Sequence, residues 1–287
     1  MVVAIGKFEG IHLGHRALIS EVTARARAIG VASAIIVFEP HPAKILSTPN
    51  YASLFDMKER EFLLDSLQVD KIIALPFDSA LAATTPQDFC NLLFREIGAC
   101  EVIVGENFRF GKNRVGTVEL LRQQAAEYGG TVRVVPLHEN VSTSQIRRQL
   151  AIGNLAEATK LLGFPFFIMG TVAQGRKLGR TLGFPTLNIY PPPDKFLPEN
   201  GVYATRTLLD GKEMPSITNI GIRPTVANTS TVSVETHIPG LNAAPDELYN
   251  RHIKVDFLRF IRPERRFNST QELTAQIQED LETEFLP

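Results

Sequence analysis

Two histidines near the amino terminus carry the clearest chemical signal in the sequence. His12 and His15 are separated by Leu-Gly and follow the short apolar run from Val2 to Ile5. Glycine lets a backbone come close to a ligand, and imidazole N–H groups donate hydrogen bonds to phosphate oxygens. The pattern predicts a nucleotide site, although HxGH alone leaves open the alternative of two surface histidines in a loop. The turn residues assigned to this site are Gly6, Phe8 and Gly14.

A second group of polar residues stands at the predicted start of a helix. Ser142, Thr143 and Ser144 provide three hydroxyls, and Arg147 follows one turn later. The amino end of a helix favours anions, and a guanidinium group binds phosphate oxygens in pairs. Taken alone, the segment is more typical of a helix cap with a solvated arginine. Combined with the histidine pair, it predicts that Ser142, Ser144 and Arg147 bind the phosphates of ATP.

Two further loops follow predicted strands in the same half of the chain. His41 lies between two prolines. Asn107 and Phe108 lie in the loop 105–111, which begins and ends with glycine. Aromatic and amide groups suit a flat heteroaromatic ligand, whereas proline fixes the backbone around His41. A rigid turn and a core phenylalanine are the alternatives that these residues leave open.

The second half of the chain contains a dense run of glycines and cations, 175–183. Thr186 and Asn188 follow it at alternate positions of a strand, so their side chains share a face and both oxygens can reach one Mg²⁺. A glycine-rich hairpin with exposed cations is the alternative. The residues assigned to phosphate binding here are Gly175, Lys177, Gly179, Arg180, Gly183, Pro185, Thr186 and Asn188.

The two halves differ in the periodicity of their apolar residues. Up to about residue 150, short apolar runs alternate with amphipathic stretches, which predicts an α/β domain with a mostly parallel sheet covered on both faces. Ligands bind at the carboxyl ends of the strands in such sheets, where the loops 6–15, 38–42 and 105–111 fall. From residue 166 onward, short and closely spaced strands predict an antiparallel barrel or sandwich, followed by a helix over 269–285.

Composition limits the class of protein. The 287 residues contain 30 Lys plus Arg and 31 Asp plus Glu, so a net charge of −1 gives no electrostatic reason to expect nucleic acid or an anionic membrane. The 2 cysteines form no CxxC pair, and no long apolar run suggests a membrane span or a secretion signal. We therefore expect a cytoplasmic protein with small-molecule ligands, as a monomer or weak homo-oligomer.

The pairing of HxGH with the segment from Val141 to Arg147 resembles the nucleotidylyltransferase superfamily. The resemblance implies a Rossmann-like first domain in which His12 and His15 stabilise the transferring α-phosphate and the leaving pyrophosphate. It also implies that the Ser/Thr–Arg segment holds the outer phosphates, and it does not imply a covalent enzyme intermediate. Positioning and charge stabilisation are the main demands of such a transfer.

The loop 175–188 resembles the GRxLGxPTxN loop of riboflavin kinases, and the segments 198–203, 219–225 and 262–267 are similar as well. In that family a glutamate on a barrel strand takes the proton of the riboflavin 5′-hydroxyl, and Glu235 matches it. Taken alone, Glu235 would be a solvent-facing strand residue. The resemblance also implies a β-barrel fold, Mg²⁺ at Thr186 and Asn188, and flavin contacts from Arg262 and Phe267.

The two halves in this order resemble the bacterial family of bifunctional riboflavin kinase/FMN adenylyltransferases. The resemblance implies that the carboxyl-terminal domain phosphorylates riboflavin to FMN with ATP. The amino-terminal domain would then adenylylate FMN to FAD and release pyrophosphate, with His41, Asn107 and Phe108 as flavin contacts.

The expected domain boundaries are 1–153 for the adenylyltransferase, 154–163 for a connecting helix and 164–287 for the kinase barrel. Lys7 and Glu9 differ from the usual Asn and Asp of the family. A riboflavin kinase with a weakened adenylyltransferase site is therefore one alternative. A non-catalytic flavin- or nucleotide-binding sensor is the other.

Overall fold

The chain forms two compact units, Met1–Thr143 and Ser144–Pro287. The structure, a computed structural model, describes residues 1–46, 51–136, 141–175, 178–224, 230–241 and 245–285. The first unit is α/β with a parallel sheet, and the second contains an antiparallel sheet followed by a carboxyl-terminal helix. The predicted fold class is therefore confirmed. The predicted phosphate ligand Lys177 lies outside the described residues.

The first unit is built on five parallel strands. They are β1 (Val2–Ile5), β2 (Ser33–Glu39), β3 (Lys71–Pro76), β4 (Glu101–Gly105) and β5 (Thr131–Val135), in the spatial order β3-β2-β1-β4-β5. The helices of this unit are α1 (Leu13–Ile29), α2 (Pro42–Leu46), α3 (Met57–Ser66), α4 (Ser79–Ala83), α5 (Pro86–Asn91) and α6 (Val118–Glu127). The central strand β1 is buried at all four of its positions, as expected when helices cover both faces of a parallel sheet.

Both faces of this sheet carry apolar helices. On one face, Val3 and Val102 belong to a core cluster with Leu93 and with Leu121 of α6. Helix α1 contacts β1, β2 and β4, and its buried side chains include Ile19. The burial holds the strands in place, so that the loops at their carboxyl ends have a rigid base.

The second unit contains six antiparallel strands. They are β6 (Phe167–Thr171), β7 (Thr186–Ile189), β8 (Gly201–Leu209), β9 (Lys212–Pro224), β10 (Ser230–His237) and β11 (His252–Arg262), in the order β6-β11-β8-β9-β10-β7. The helices are α7 (Thr143–Ala151), α8 (Leu155–Leu162), α9 (Leu178–Thr181) and α10 (Thr270–Phe285). Throughout the ranges described, no helix of the chain has both the length and the apolar character needed to cross a membrane.

The two edges of the antiparallel sheet meet. Ala173, just beyond β6, pairs with Asn188 of β7, and its backbone N–H donates to the Asn188 carbonyl oxygen at 2.8 Å. A Cβ on Gly170 of β6 would lie 2.3 Å from the Ile189 side chain of β7, so glycine is needed for this approach. The sheet therefore curls until its first and last strands touch, which is the barrel-like closure expected from the sequence.

Buried hydroxyls define the inner face of this sheet. The Thr218 Oγ1 atom of β9 lies 2.8 Å from Thr205 Oγ1 of β8 and 2.9 Å from Thr236 Oγ1 of β10. Successive side chains of a strand point to opposite faces. Asn219 and Glu235, which are paired across β9 and β10, therefore project together from the other face.

Candidate active sites

A cavity of about 320 Å³ opens at the carboxyl ends of β4 and β5 in the first unit. This edge is where ligands bind in parallel α/β sheets. The cavity combines residues from the histidine turn, from the ends of two strands and from the segment that leads into α7. Its lining consists of His12, Gly14, His15, Leu18, Gly105, Val135, Pro136, Val141, Ser142 and Thr143.

The two histidines form a stacked pair at this cavity. His12 caps α1, because its Nδ1 atom accepts a hydrogen bond from the backbone N–H of His15 at 3.4 Å. The acceptor role of Nδ1 leaves the proton of a neutral His12 on Nε2. The two rings are nearly parallel, with centroids 3.8 Å apart. The His15 Nδ1 atom is buried and has no hydrogen-bond partner among the residues described, so a ligand oxygen would complete its bonding.

Burial keeps both imidazoles neutral at pH 7 in the unliganded chain. Loss of hydration lowers the pKa of His12 from 6.5 to about 4, although the nearby Glu9 carboxylate opposes the shift. The pKa of His15 falls well below its ordinary value, first because of burial and second because of the neighbouring His12. A neutral imidazole can donate a hydrogen bond to a phosphate oxygen when ATP is bound. When the site is empty, a neutral imidazole needs no nearby negative charge to offset its burial.

The lowered pKa of His12 makes the stability of the first unit depend on pH. An unfolded histidine binds its proton near pH 6.5, whereas folded His12 resists protonation down to about pH 4, so acid favours the unfolded state. We expect a loss of about 2 kcal/mol between pH 7 and pH 5 from His12 alone. His12→Asn keeps an N-cap acceptor and should remove this part of the dependence. Calorimetric melting of both proteins at the two pH values is the check, and identical pH dependences would contradict the assignment.

The turn before the histidines has a strained backbone, and its Phe8 side chain packs against His15. Phe8 and Ile11 have φ angles of 41° and 42°, a region that bulky side chains rarely adopt. Such strain persists where the surrounding structure holds it and is common at functional sites. The fully buried Phe8 ring lies 5.1 Å from the His15 ring, and a Cβ on Gly6 would meet it at 3.3 Å. These positions fit a supporting role, and contacts of Gly6 and Phe8 with ATP stay predictions.

The predicted phosphate segment divides between the two units. Ser142 lines the cavity with the histidines. Ser144 and Arg147 lie on α7 in the second unit, where the guanidinium carbon of Arg147 is 4.8 Å from the centre of the Phe196 ring. The structure thus brings Ser142 together with His12 and His15. The phosphate contacts of Ser144 and Arg147 stay predictions.

The three predicted flavin contacts of the first unit are not among the residues that line the histidine cavity. His41 is only 4% exposed, and its ring stacks on Tyr51 with centroids 4.5 Å apart. Asn107 is exposed, and Phe108 is half-buried and stacks on Phe110 at 5.7 Å. The imidazole of His41 is thus turned into the protein, and flavin binding by the three residues stays a prediction.

A second cavity of about 320 Å³ lies within the second unit, between the outer face of the sheet and α10. It brings together five of the residues predicted from the sequence. These are Gly179, Thr186, Glu235, Arg262 and Phe267. Leu273, Ile277 and Asp280 of α10 complete one wall.

The strand register places Glu235 beside the Thr-x-Asn pair. Glu235 faces Asn188 across β10 and β7, and Thr186 is paired with His237. Ser233 Oγ donates to Glu235 Oε1 at 3.2 Å. Asn188 is buried, and its Nδ2 atom donates to the Thr186 carbonyl oxygen at 3.2 Å, which makes Oδ1 the acceptor end of the amide. A carboxylate and two neutral oxygen donors therefore lie on adjacent strands.

Close packing explains two glycines of the predicted phosphate loop, and backbone conformation explains a third. A Cβ on Gly175 would lie 2.5 Å from Asn188 Nδ2, and one on Gly179 would lie 2.4 Å from the Phe184 carbonyl oxygen. Gly183 has a φ of 89°, which favours glycine. Arg180 belongs to α9, and Gly183, Pro185 and Asn188 are not among the residues that line the cavity.

Arg262 is already engaged within the protein. Its Nε and Nη2 atoms donate to Asp280 of α10, at 3.0 Å to Oδ1 and 2.7 Å to Oδ2. Gln276 donates a further hydrogen bond to Asp280 Oδ1 at 2.9 Å. The Arg262 guanidinium carbon also lies 5.9 Å from the centre of the Phe267 ring. Arg262 therefore fixes α10 against β11, and its contact with flavin stays a prediction.

Removal of the Asp280 carboxylate should loosen the helical wall of the second cavity. Asp280 is buried and Arg262 is mostly so, and breaking a buried pair by removing one partner costs about 3 kcal/mol. We expect Asp280→Ala to lower the melting temperature of the second unit and to raise the KM for riboflavin, with little effect on FAD formation from FMN. Glu282→Ala, at an exposed position of the same helix, is the control. A melting temperature equal to that of the control would contradict this role.

Sequence reasoning missed several residues that line the second cavity: Asn219, His237, Glu264 and Arg265. The period of two in strands could have identified His237, which shares a face with Glu235. Its Nδ1 atom is 2.9 Å from the Pro185 carbonyl oxygen, and burial lowers its pKa, so neutral His237 donates to the loop that precedes Thr186. Asn219 Nδ2 donates to Glu264 at 3.2 Å, a contact between distant segments that no local pattern indicates.

Comparison with known proteins now decides the family. Residues 1–148 match the model of the FAD synthetase family, and residues 162–284 match that of the riboflavin kinase family. The chain belongs to the bifunctional riboflavin kinase/FMN adenylyltransferase family. It is 39% identical to the family member of Escherichia coli strain K12 over 286 residues, which cover 97% of this chain and 90% of that protein.

Further members of this family and a solved structure are also similar. The Pseudomonas fluorescens bifunctional riboflavin kinase/FMN adenylyltransferase is 34% identical over 98% of this chain and 90% of its own length. A crystal structure titled macrolide-efflux protein from Streptococcus pneumoniae is 28% identical, with a TM-score of 0.87 over 100% of this chain and 94% of that one. The comparisons confirm the predicted family and the prediction of an enzyme with two activities in flavin cofactor synthesis. They favour neither the kinase with a weakened adenylyltransferase site nor the non-catalytic sensor.

Proposed function

We propose that the first unit transfers the adenylyl group of ATP to FMN at the cavity of the stacked histidines. An oxygen of the FMN phosphate attacks the α-phosphorus of ATP, the bond to the β-phosphate breaks, and pyrophosphate leaves with its electron pair. His12 and His15 donate hydrogen bonds to the oxygens on which charge develops. Ser142 supplies a further donor at the same cavity. Ser144 and Arg147 would bind the outer phosphates, and Gly6, Phe8 and Gly14 would shape the nucleotide pocket.

The second unit, on this proposal, transfers the γ-phosphoryl group of ATP to riboflavin. Glu235 accepts the proton of the riboflavin 5′-hydroxyl. The hydroxyl oxygen bonds to the γ-phosphorus of ATP, and ADP leaves. Glu235 and Thr186 line one cavity, which is the observation that supports this assignment. Arg262 and Phe267 would contact the flavin, while the loop with Lys177, Gly179 and Arg180 would hold the phosphates.

Thr186 and Asn188 are the residues that would hold Mg²⁺. Mg²⁺ prefers neutral and anionic oxygen ligands and completes its shell with water and substrate phosphates, so a hydroxyl and an amide oxygen fit as its protein ligands. Within the described ranges, no three His, Cys, Asp or Glu side chains form a group that could hold a metal ion. When bound, the ion would neutralise charge on the transferring phosphate.

The expected boundaries assign 1–153 to the adenylyltransferase, 154–163 to a connecting helix and 164–287 to the kinase. Helix α8 runs from Leu155 to Leu162, between an Asn154 cap and Gly163, so a helix stands where the connecting helix is proposed. The partners we propose are ATP, riboflavin and FMN, without nucleic acid. We further propose a cytoplasmic monomer or weak homo-oligomer.

A single observation carries the proposal: each unit contains its own cavity, and the lining of each includes residues of one motif set, His12, His15 and Ser142 in the first and Thr186 and Glu235 in the second. The test supplies the pure chain with ATP and Mg²⁺ and either riboflavin or FMN, and separates the flavin products. Riboflavin should yield FMN and then FAD, and FMN should yield FAD with pyrophosphate. FMN without FAD would favour a kinase alone, and no product from either flavin would favour a sensor.

A further inference from the structure

Glu9 is a carboxylate in a buried turn, which is an unusual environment for this group. It is 4% exposed, although it lies only three residues before His12 and directly after the strained Phe8. A buried carboxylate needs hydrogen-bond donors or an opposite charge to offset the loss of hydration. The described side-chain contacts of Glu9 include three groups from a different stretch of the first unit.

Three groups beyond β2 approach this carboxylate. The backbone N–H of Leu54 donates to Oε1 at 2.8 Å, and the Tyr51 hydroxyl donates to Oε2 at 2.5 Å. The Nε2 atom of His41 lies 3.6 Å from Oε2, and its ring stacks on Tyr51. Hydrogen bonds to a charged acceptor are about twice as strong as those between neutral groups. One carboxylate therefore joins a backbone amide, a phenol and an imidazole.

Backbone packing reinforces the same connection. A Cβ on Gly10 would lie 3.3 Å from the Leu54 side chain, so the histidine turn packs closely on Leu54 next to Glu9 as well. Leu54 is fully buried, so its side chain anchors this segment in the core of the first unit. Strands β1 and β2 are parallel neighbours, and the loops after them emerge at the same edge of the sheet. Glu9 thus sets the spacing of two loops beside the histidine cavity.

We propose that Glu9 is a positioning residue for adenylyl transfer. Through its contacts with Tyr51 and His41, Glu9 holds the turn that carries His12 at a fixed distance from the loop after β2. This inference rests on the proposed adenylyl-transfer site. It assigns to His41 a role through Glu9 instead of contact with flavin. The glutamate carboxylate accepts hydrogen bonds from both Tyr51 and Leu54.

The proposal predicts a fall in kcat, because misplacement of His12 weakens stabilisation of the transition state more than binding of ATP. Glu9→Gln places an amide –NH₂ against either the Tyr51 hydroxyl or the Leu54 N–H, so one hydrogen bond is lost. Tyr51→Phe removes the hydroxyl that donates to Glu9. We expect each variant to lower kcat for FAD formation from FMN about tenfold, with KM for ATP changed less than about twofold. The double variant should lose no more than the more severe single variant, since both substitutions disrupt the same contact.

Two controls separate positioning from loss of structure. Glu61→Gln changes an exposed glutamate of the same unit and should retain full activity. Riboflavin phosphorylation, carried out by the other unit, should be unchanged in every variant. If Glu9→Gln loses its native circular dichroism spectrum, folded Tyr51→Phe becomes the decisive variant. Full FAD formation by folded Tyr51→Phe, or multiplied losses in the double variant, would overturn the inference. Absence of FAD formation by the unsubstituted chain would instead overturn the proposed function.

Discussion

Replacement of His15 by alanine should abolish most FAD synthesis while riboflavin phosphorylation continues. The variant loses an imidazole that lines the cavity, stacks on His12 at 3.8 Å and has a buried Nδ1 atom without a described partner. Removing one donor that stabilises charge in a transition state typically costs about 100- to 1,000-fold in kcat. We therefore expect FAD formation from FMN and ATP to fall by that factor. The measurement is the initial rate with each flavin substrate.

The His15 result has an internal and an external control. The rate of FMN formation from riboflavin in the same protein reports on the second unit and should stay within about twofold of normal. His252→Ala removes an exposed histidine whose Nδ1 atom is 3.2 Å from Thr171 Oγ1, and it should alter neither rate. Equal loss of both activities in His15→Ala would show that the histidine pair does not belong to adenylyl transfer alone.

Glu235→Gln should have the reverse effect. Glutamine keeps the shape and an oxygen that can accept the hydrogen bond from Ser233, but it cannot take the proton of the riboflavin 5′-hydroxyl. Loss of a general base typically lowers the rate about 100- to 10,000-fold. FMN formation from riboflavin should fall within that range, and FAD formation from FMN should be preserved. A kcat effect with little change in KM would identify a role in the chemical step.

The matched control for this variant is Glu247→Gln, which makes the same chemical change at an exposed position of the second unit. It should leave riboflavin phosphorylation unchanged. If Glu235→Gln phosphorylates riboflavin at the normal rate, another group accepts the proton. Glu264, which lines the same cavity, would then be the next residue to replace.

Local sequence patterns predicted the parts of the fold that depend on periodicity. The parallel strands, the helix over 269–285 and its start were all expected, and Ser269 Oγ indeed accepts from the Glu272 N–H at 3.1 Å. The short helices α2, α4 and α9 were not predicted, because five residues or fewer show no complete apolar period. Strand β9 begins at Lys212 and continues through Pro215, a residue that local patterns place at the end of a strand or outside it. Its hairpin turns at Asp210 and Gly211, both with positive φ, as the Asp-Gly pair favours.

The candidate sites show a similar limit. Residues in compact motifs, such as His12, His15 and Thr186, were identified because their spacing reflects local geometry. The burial of His41 beneath Tyr51 and the Arg262–Asp280 pair depend on contacts between distant segments, which no local pattern encodes. Glu9 is the clearest example. Its identity alone suggested a departure from the family, whereas its hydrogen bonds with Leu54 and Tyr51 appear only in the structure.

The central claim is that two separable sites in one chain act in sequence, and mixing the two single-site variants tests it most directly. With riboflavin, ATP and Mg²⁺, His15→Ala alone should accumulate FMN, and Glu235→Gln alone should leave riboflavin largely unconverted. An equal mixture should form FAD, because FMN released by the first protein is adenylylated by the second. FMN that accumulates in the mixture without FAD, although Glu235→Gln converts added FMN, would contradict the account.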